Sequence, residues 1–153
     1  MELLDVYDEN GNVTGRVVQR GDKSVTFEEN EHIAVSIIFI ENNKNEFLIQ
    51  KTSHIKGGEY STTGGHVNSG ETPLEAIKRE VSEEIGIDIE TKDIVSLGFY
   101  KIGMPLRYLF YILPKKSVIP LLNIKEDVMW VDVKHILTYY KIVCLENLEK
   151  KSV

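Results

Sequence analysis

One segment of the chain carries the start and stop signals of an α-helix more explicitly than any other. Thr72 has the residue type of an N-cap, Pro73 suits the first helical position, and Glu75 lies three residues after the cap. Gly86 has the residue type that commonly ends helices. These signals predict a helix over about residues 73–85. Apolar residues recur in it at intervals of three and four and predict one buried stripe, Leu74, Ile77, Val81 and Ile85.

The same helix carries three glutamates on one side. Glu80, Glu83 and Glu84 are spaced at i, i+3 and i+4, beside the apolar stripe and not opposite it. Like charges at i and i+4 cost roughly a few tenths of a kcal/mol, so Glu80 and Glu84 form a local conflict that a divalent cation would offset. Carboxylate oxygens suit Mg²⁺, which fills its other coordination sites with water and phosphate. The pattern indicates either a magnesium site or a solvated acidic helix face.

Length and charge limit the classes of protein that the sequence can encode. The chain of 153 residues predicts a single domain over residues 1–153. Its formal net charge of −6 argues against a nucleic-acid polymer as the main partner, because affinity for DNA and RNA comes largely from Lys and Arg. A small phosphorylated ligand stays open if a metal supplies positive charge. Cys144 and the four histidines show no zinc-type spacing.

The chain has no pattern of a membrane or secreted protein. Its longest apolar run, residues 33–40, is far shorter than the roughly 20 residues of a membrane span. The acidic start lacks the basic and apolar regions of a signal peptide. We therefore expect a protein that does not contact a membrane and that is cytoplasmic.

Alternating patterns outside the helix predict strands. Residues 3–18 predict an N-terminal β-hairpin, and residues 33–40 predict a central strand, apolar enough to be buried on both faces, with residues 47–51 as its neighbour. The remaining predicted elements are a second hairpin, a strand and a C-terminal helix, at residues 94–113, 128–131 and 133–149. Residues 61–65 are expected to form a Gly-rich loop before the first helix. Strands in runs with helices inserted favour an α+β or mixed α/β sandwich.

The helix and the loop before it share a longer pattern. Its fixed positions are, in order, Gly65, Glu71, Arg79, Glu80, Val81, Glu83, Glu84, Gly86 and Ile87. Residues 65–87 resemble the complete Nudix box, with every fixed position of the motif occupied. The resemblance implies an α/β/α sandwich around a mixed sheet, in which the box forms a loop, a helix and a loop.

The resemblance also implies a chemistry for these positions. The implied metal ligands are the carboxylates of three glutamates and one backbone carbonyl, namely Glu80, Glu83, Glu84 and Gly65. They would bind Mg²⁺, with Mn²⁺ as an alternative. Glu71 would pair with Arg79, whose fork matches a carboxylate bidentately, and Arg79 would orient the glutamates. The implied reaction is water attack at phosphorus in a nucleoside diphosphate linked to another moiety. Homodimers are common among such proteins.

The sequence leaves several candidates for the general base and for the residues that contact the substrate. The base in this family is a box glutamate or an acid on a later loop, which leaves Glu84, Glu126 and Asp127 open. The last two precede a predicted strand, where acids are also common in plain turns. Lys51 and His66 flank the Gly-rich segment and could contact substrate phosphates, or could serve only as a surface lysine and a loop hydrogen bond.

Two other functions share features with the sequence. Segments outside the box loosely resemble the isopentenyl-diphosphate isomerase-like branch, but that chemistry requires a cysteine just before the box glycine, and the single cysteine is Cys144. A non-catalytic, nucleotide-sensing Nudix domain typically lacks box glutamates, and none is missing here. Specificity is expected to depend on residues 52–60, 103–107 and 114–127, whose composition singles out no base or sugar.

Overall fold

A computed structural model of the chain describes residues 2–51, 60–113 and 128–132. The strands in this part are β1 (Leu3–Tyr7), β2 (Val13–Gln19), β3 (Ala34–Ile40), β4 (Glu46–Lys51), β5 (Tyr60–Ser61), β6 (Thr63–His66), β7 (Ile94–Lys101), β8 (Leu106–Ile112) and β9 (Val128–Asp132). One α-helix, α1 (Pro73–Ile85), lies between β6 and β7, and a 3-10 turn, Thr91–Asp93, follows it. No helix in these residues is long and apolar enough to cross a membrane. The helix predicted at residues 133–149 lies outside the described residues.

A mixed four-stranded sheet, ordered β6-β3-β8-β7, positions the rest of the fold. β3 runs parallel to β8, with Ala34 opposite Leu106, and antiparallel to β6 on its other edge. β7 and β8 form the antiparallel hairpin that the sequence predicted. A mixed sheet with a helix packed on it confirms the predicted α+β class.

The expectation that β4 would be the neighbour of β3 was wrong. β4 pairs with β5 and β9 in a separate three-stranded sheet, ordered β5-β4-β9. It touches the end of β3 through an isolated bridge between Glu41 and Phe47. Both edges of β3 are occupied by β6 and β8, so β4 has no open edge along which to pair. Leu48 of β4 nevertheless joins the core that β3 and α1 share.

Burial along β3 also differs from expectation on one face. Ala34, Ser36, Ile38 and Ile40 are buried, but the residues between them are only partly buried. Two of the buried residues, Ile38 and Ile40, share a core cluster with Ile77, Val81 and Ile85 of α1. The helix therefore covers the first face, and the side chains on the second face keep some exposure.

α1 begins and ends at the residues that the capping signals predicted. The Thr72 hydroxyl accepts a hydrogen bond from the Glu75 backbone N–H at 3.1 Å and donates to the Glu75 carboxylate at 3.1 Å. Gly86 ends the helix with φ of 68°, and its N–H donates to the Ser82 carbonyl. Ile77, Val81 and Ile85 of the predicted stripe are buried, while Leu74 is only partly buried. Ala76 is buried in addition, so the buried face differs from the prediction at two positions.

A buried hydroxyl fastens α1 to the central strand. Ser36 has no exposed surface, and its Oγ donates to the Pro73 carbonyl at 2.8 Å. Because Pro73 is the first residue of α1, this bond fixes the start of the helix over β3.

The N-terminal hairpin, β1 and β2, is confirmed and holds the segment that leads into α1. The Asp5 carboxylate accepts hydrogen bonds from the Ser69 hydroxyl at 2.8 Å and from the Gly70 N–H at 3.0 Å. Tyr7 and His32 exchange backbone hydrogen bonds and tie the hairpin to the start of β3. The hairpin therefore restricts the position of the loop at residues 67–72.

The Gly-rich segment is a strand where a loop was expected. β6 pairs with β3, with Gly65 opposite Ser36 and Gly64 opposite Ile37. A Cβ on Gly64 would collide with the Ser36 carbonyl oxygen. Glycine has a low intrinsic preference for strands, but here its missing side chain is what permits the close pairing.

The cap at Thr72 can be tested by stability. We expect Thr72→Ala to lower the free energy of unfolding by about 1 kcal/mol, because the Glu75 N–H loses its acceptor. Thr72→Ser is the matched control, since it keeps the hydroxyl, and should stay close to wild type. Urea denaturation followed by circular dichroism measures both. Equal stability of the alanine and serine variants would contradict the cap assignment.

Candidate active site

The candidate site forms where β6 passes beneath α1. A Cβ on Gly65 would collide with the carboxylate of Glu80, so only glycine allows this carboxylate to lie against the β6 backbone. Glu80 lies on the α1 turn that also presents Arg79, and its side chain is only 14% exposed. The strand and the helix therefore bring a backbone segment and a carboxylate into direct contact.

Arg79 connects the helix to the loop before it. Its Nε and one terminal nitrogen donate to the two oxygens of Glu71, at 3.1 and 2.6 Å. The same terminal nitrogen donates to the His66 carbonyl at 3.0 Å. Glu71 also accepts from the Asn68 backbone N–H at 2.8 Å. These hydrogen bonds of Arg79 therefore connect the segment between β6 and α1 to the helix.

The other terminal nitrogen of Arg79 faces the box glutamates. It lies 2.8 Å from Glu80 Oε1 and 3.3 Å from Glu83 Oε2. The Glu83 side chain is 60% exposed, so it is the member of this group that is most open to solvent. A single guanidinium thus holds three carboxylates in a fixed relation.

Glu84 lies on the side of the group that faces β4. Its carboxylate accepts a short hydrogen bond from Gln50 Nε2. It also interacts with Glu80 through its charge and through a hydrogen bond, and both disfavour ionisation of Glu80. The polar contacts therefore run from Glu71 through Arg79, Glu80 and Glu84 to Gln50.

The pKa values of the group reflect burial and the position of Arg79. Burial raises the pKa of Glu80, and the charge of Glu84 adds to this shift, while Arg79 opposes it. Burial would also raise the pKa of Glu71, but hydrogen bonds from Arg79 and Asn68 outweigh it and hold the pKa below its ordinary value. The hydrogen bond to Glu71 raises the pKa of Arg79, which stays charged.

The oxygen donors in this group are of the chemical type that a hard divalent cation binds. Within residues 2–51, 60–113 and 128–132, no three His, Cys, Asp or Glu side chains converge closely enough to hold an ion. The three glutamates instead take separate partners, which are Arg79 for Glu80 and Glu83, and Gln50 for Glu84. All of their donor atoms are oxygens, the type that Mg²⁺ and Mn²⁺ prefer. Two further features suit such an ion, namely the glycine cradle against Glu80 and a buried Gln50 oxygen that lacks a partner in the described residues.

Of the other candidate residues, His66 lies in the described part of the chain, and the remaining ones lie wholly or partly outside it. The backbone carbonyl of His66 accepts a hydrogen bond from Arg79. His66 also lines a cavity of about 190 Å³ together with Leu4, Ile33 and Met104. None of the box glutamates lines that cavity. Lys51 ends β4, and its side chain lies outside the described part of the chain. Glu126 and Asp127, like most of the expected specificity segments at 52–60 and 114–127, also lie outside it.

Sequence reasoning missed Gln50. The signal for it was present, because Leu48 and Gln50 alternate on one face of a strand and a polar residue interrupts an apolar pattern. Recognising its importance required the contact with Glu84, which is 34 residues away in sequence.

Comparison with known proteins identifies the domain. A family model described as the NUDIX domain matches residues 30–143. An uncharacterised Nudix hydrolase of Listeria monocytogenes is 37% identical over 94 residues, which cover 59% of this chain and 54% of that protein. The 8-oxo-dGTP diphosphatase of Proteus vulgaris is 43% identical over 60 residues, 38% of this chain and 52% of that protein. The chain thus spans about half the length of these curated relatives.

Solved structures share the fold. A protein from Deinococcus radiodurans matches with a TM-score of 0.72 and 23% identity, over 92% of this chain and 89% of that one. A MutT protein from Bacillus halodurans matches with a TM-score of 0.56 and 19% identity, over 70% of this chain and 72% of that one. At these identities, the likeness shows the architecture alone.

The pair formed by Glu71 and Arg79 predicts a pH dependence. The pKa of Glu71 is lowered in the folded state, so the pair stabilises the fold fully above the ordinary value of 4.5 and loses its effect as the pH falls through the lowered pKa. We expect Glu71→Gln to cost about 2 kcal/mol of unfolding free energy at pH 7. The difference from wild type should shrink below pH 4.5.

Chemical denaturation between pH 3 and 8 measures this difference. Glu2→Gln is the matched control, because Glu2 pairs with Arg20 on the surface, where both side chains are largely exposed. That variant should stay within about 0.5 kcal/mol of wild type at pH 7. A Glu71→Gln penalty that does not change with pH would show that the charge of Glu71 is not the stabilising factor.

Proposed function

Because the chain belongs to the NUDIX domain family, we propose that it is a Mg²⁺-dependent hydrolase that cleaves a phosphoanhydride bond by water attack at phosphorus. The observation that carries this proposal is the arrangement around Arg79, which pairs with Glu71, Glu80 and Glu83. Of these carboxylates, Glu80 also lies against the Gly65 backbone. A purely structural helix would gain nothing from crowding like charges next to its apolar stripe.

Each residue of the group has a proposed part in binding the cation. Glu80, Glu83 and Glu84 would hold it with their carboxylates, and Gly65 with its backbone carbonyl. When bound, Mg²⁺ supplies Lewis-acid polarisation of the phosphate oxygens and lowers the pKa of water. Glu83 is the most open of the three and can reorient at little cost, because its side chain is largely exposed.

Arg79 and Glu71 act as positioning residues in this proposal. The bidentate pair keeps the guanidinium in one plane, and the guanidinium in turn limits where the Glu80 and Glu83 carboxylates can point. Orientation of this kind is what ligands to a metal commonly receive from neighbouring groups.

The proton of the attacking water needs an acceptor near the reacting phosphate. Glu84 is one candidate, since it belongs to the same group and Gln50 restricts its position. Glu126 and Asp127 are the other candidates, from the segment before β9. Comparing the pH dependence of kcat in Glu84→Gln and Glu126→Gln distinguishes them, because loss of the true base removes the acidic limb.

The substrate that we propose is a small nucleoside diphosphate linked to another moiety. The similarity to a protein named as an 8-oxo-dGTP diphosphatase supports a nucleotide with a phosphoanhydride bond. The net charge of −6 supports a small ligand over a nucleic-acid polymer. The proposal also includes a homodimer, which light scattering would measure. It further includes a cytoplasmic location, which cell fractionation would test.

Glu83→Gln tests the proposed role of the box glutamates. We expect kcat to fall by on the order of 100-fold or more, because a ligand charge is lost while the shape of the side chain is kept. The exposed side chain should leave the unfolding free energy nearly unchanged. Glu90→Gln is the matched control, since Glu90 is an exposed glutamate outside the group, and should keep wild-type turnover.

Turnover is measured on a panel containing an oxidised nucleoside triphosphate, a dinucleotide, a nucleotide sugar and a nonnucleoside diphosphate, each with Mg²⁺ or with a chelator. Near-normal rates in Glu83→Gln would contradict the ligand assignment. Binding of a compound without turnover of any would instead favour a nucleotide sensor.

A further inference from the structure

Gln50 is a buried amide on an otherwise apolar strand face. Alternation along β4 places it on the same face as Leu48, which packs in the core with Val81 and Ile85 of α1. Gln50 is only 4% exposed. An apolar side chain would be the ordinary occupant of such a position, because burying an amide costs free energy unless both of its ends are bonded.

The contact with Glu84 fixes which way the amide points. Nε2 must face the carboxylate, because the amide oxygen cannot donate a hydrogen bond and would be repelled by it. Oε1 is then directed elsewhere, and it is buried with no hydrogen-bond partner in the described residues. Leaving such an acceptor unbonded costs free energy, because its hydrogen bonds to water are lost and not replaced. A buried group of this kind usually has a functional reason.

The position of Gln50 indicates that reason. Glu84, which Gln50 holds, shares a hydrogen bond with Glu80, and Glu80 lies against Gly65. The amide that carries the unpartnered oxygen therefore lies at the edge of the group proposed to bind the cation. A neutral amide oxygen is also among the donors that hard cations accept.

We propose that Gln50 belongs to the cation site, with Nε2 orienting Glu84 and Oε1 serving as an additional oxygen donor to the ion. The inference rests on the proposed function, since it takes the box glutamates to be the other donors. It makes the amide a part of the site that the box pattern does not contain. It also accounts for the buried acceptor, whose partner would be the ion.

Calorimetric titration with Mn²⁺ alone, and thermal unfolding without metal, test this role in Gln50→Leu. We expect the dissociation constant for Mn²⁺ to rise by about 10- to 100-fold. Without metal, the melting temperature should stay equal or rise, because the leucine removes a buried amide oxygen that has no partner from an apolar face. A merely structural glutamine would produce the opposite pair of results, namely a lower melting temperature and unchanged affinity.

Gln50→Glu is the second variant. It keeps an oxygen donor but places a carboxylate against Glu84, so we expect the metal-free protein to be less stable than wild type. Saturating Mn²⁺ should then raise its melting temperature by more than it raises that of the wild type. Gln19→Leu, an exposed glutamine on β2, is the matched control and should leave Mn²⁺ affinity unchanged.

The outcomes separate this inference from the proposed function. If wild type binds Mn²⁺ and Gln50→Leu stays within twofold of its affinity, the inference is overturned while the hydrolase proposal stands. If Gln50→Leu weakens Mn²⁺ binding but no compound of the panel is hydrolysed, the role of Gln50 is supported and the hydrolase proposal fails. A wild type that does not bind Mn²⁺ overturns both.

Discussion

The guanidinium of Arg79 is the contact on which the arrangement of the site depends. It joins the loop before α1 through Glu71, strand β6 through the His66 carbonyl, and the helix itself through Glu80 and Glu83. Because the fork is rigid and planar, these directions are set together and not one by one. A lysine would supply a point charge without this fixed plane. One side chain therefore determines both the geometry and the local charge balance of the group.

Arg79 can orient these carboxylates because β3, β6 and α1 pack closely against one another around it. Glycines at positions 64 and 65 let β6 lie directly against β3 on one side and against the Glu80 carboxylate on the other. Ser36 then fastens the first turn of α1 to β3. The Asp5 carboxylate holds the intervening loop from the N-terminal hairpin. The acidic group thus lies at the boundary between a rigid core and solvent, where carboxylates are partly desolvated but still accessible.

Elements with local signals were predictable from the sequence, and those set by distant contacts were not. The bounds of α1 followed from Thr72, Pro73 and Gly86, which act on their own backbone. The place of β4 depended on which strands occupy the edges of β3, a fact that no periodicity contains. β6 was expected to be a loop, because glycines carry no alternating pattern. At the site, spacing within one helix brought the glutamates together, but the partner from β4, Gln50, needed the folded chain.

Two energetically unfavourable features of the described structure lie where a bound cation would relieve them. The raised pKa of Glu80 and the unbonded Oε1 of Gln50 lie at the same edge of α1, whereas the caps and the apolar face of that helix are well satisfied. Apolar packing of Ile77, Val81 and Ile85 stabilises the helix on its buried face. A ligand that binds only the folded state adds about 2.7 kcal/mol at a concentration 100 times its dissociation constant. A cation at this edge would thus convert a local penalty into stabilisation while leaving the packing of the core unchanged.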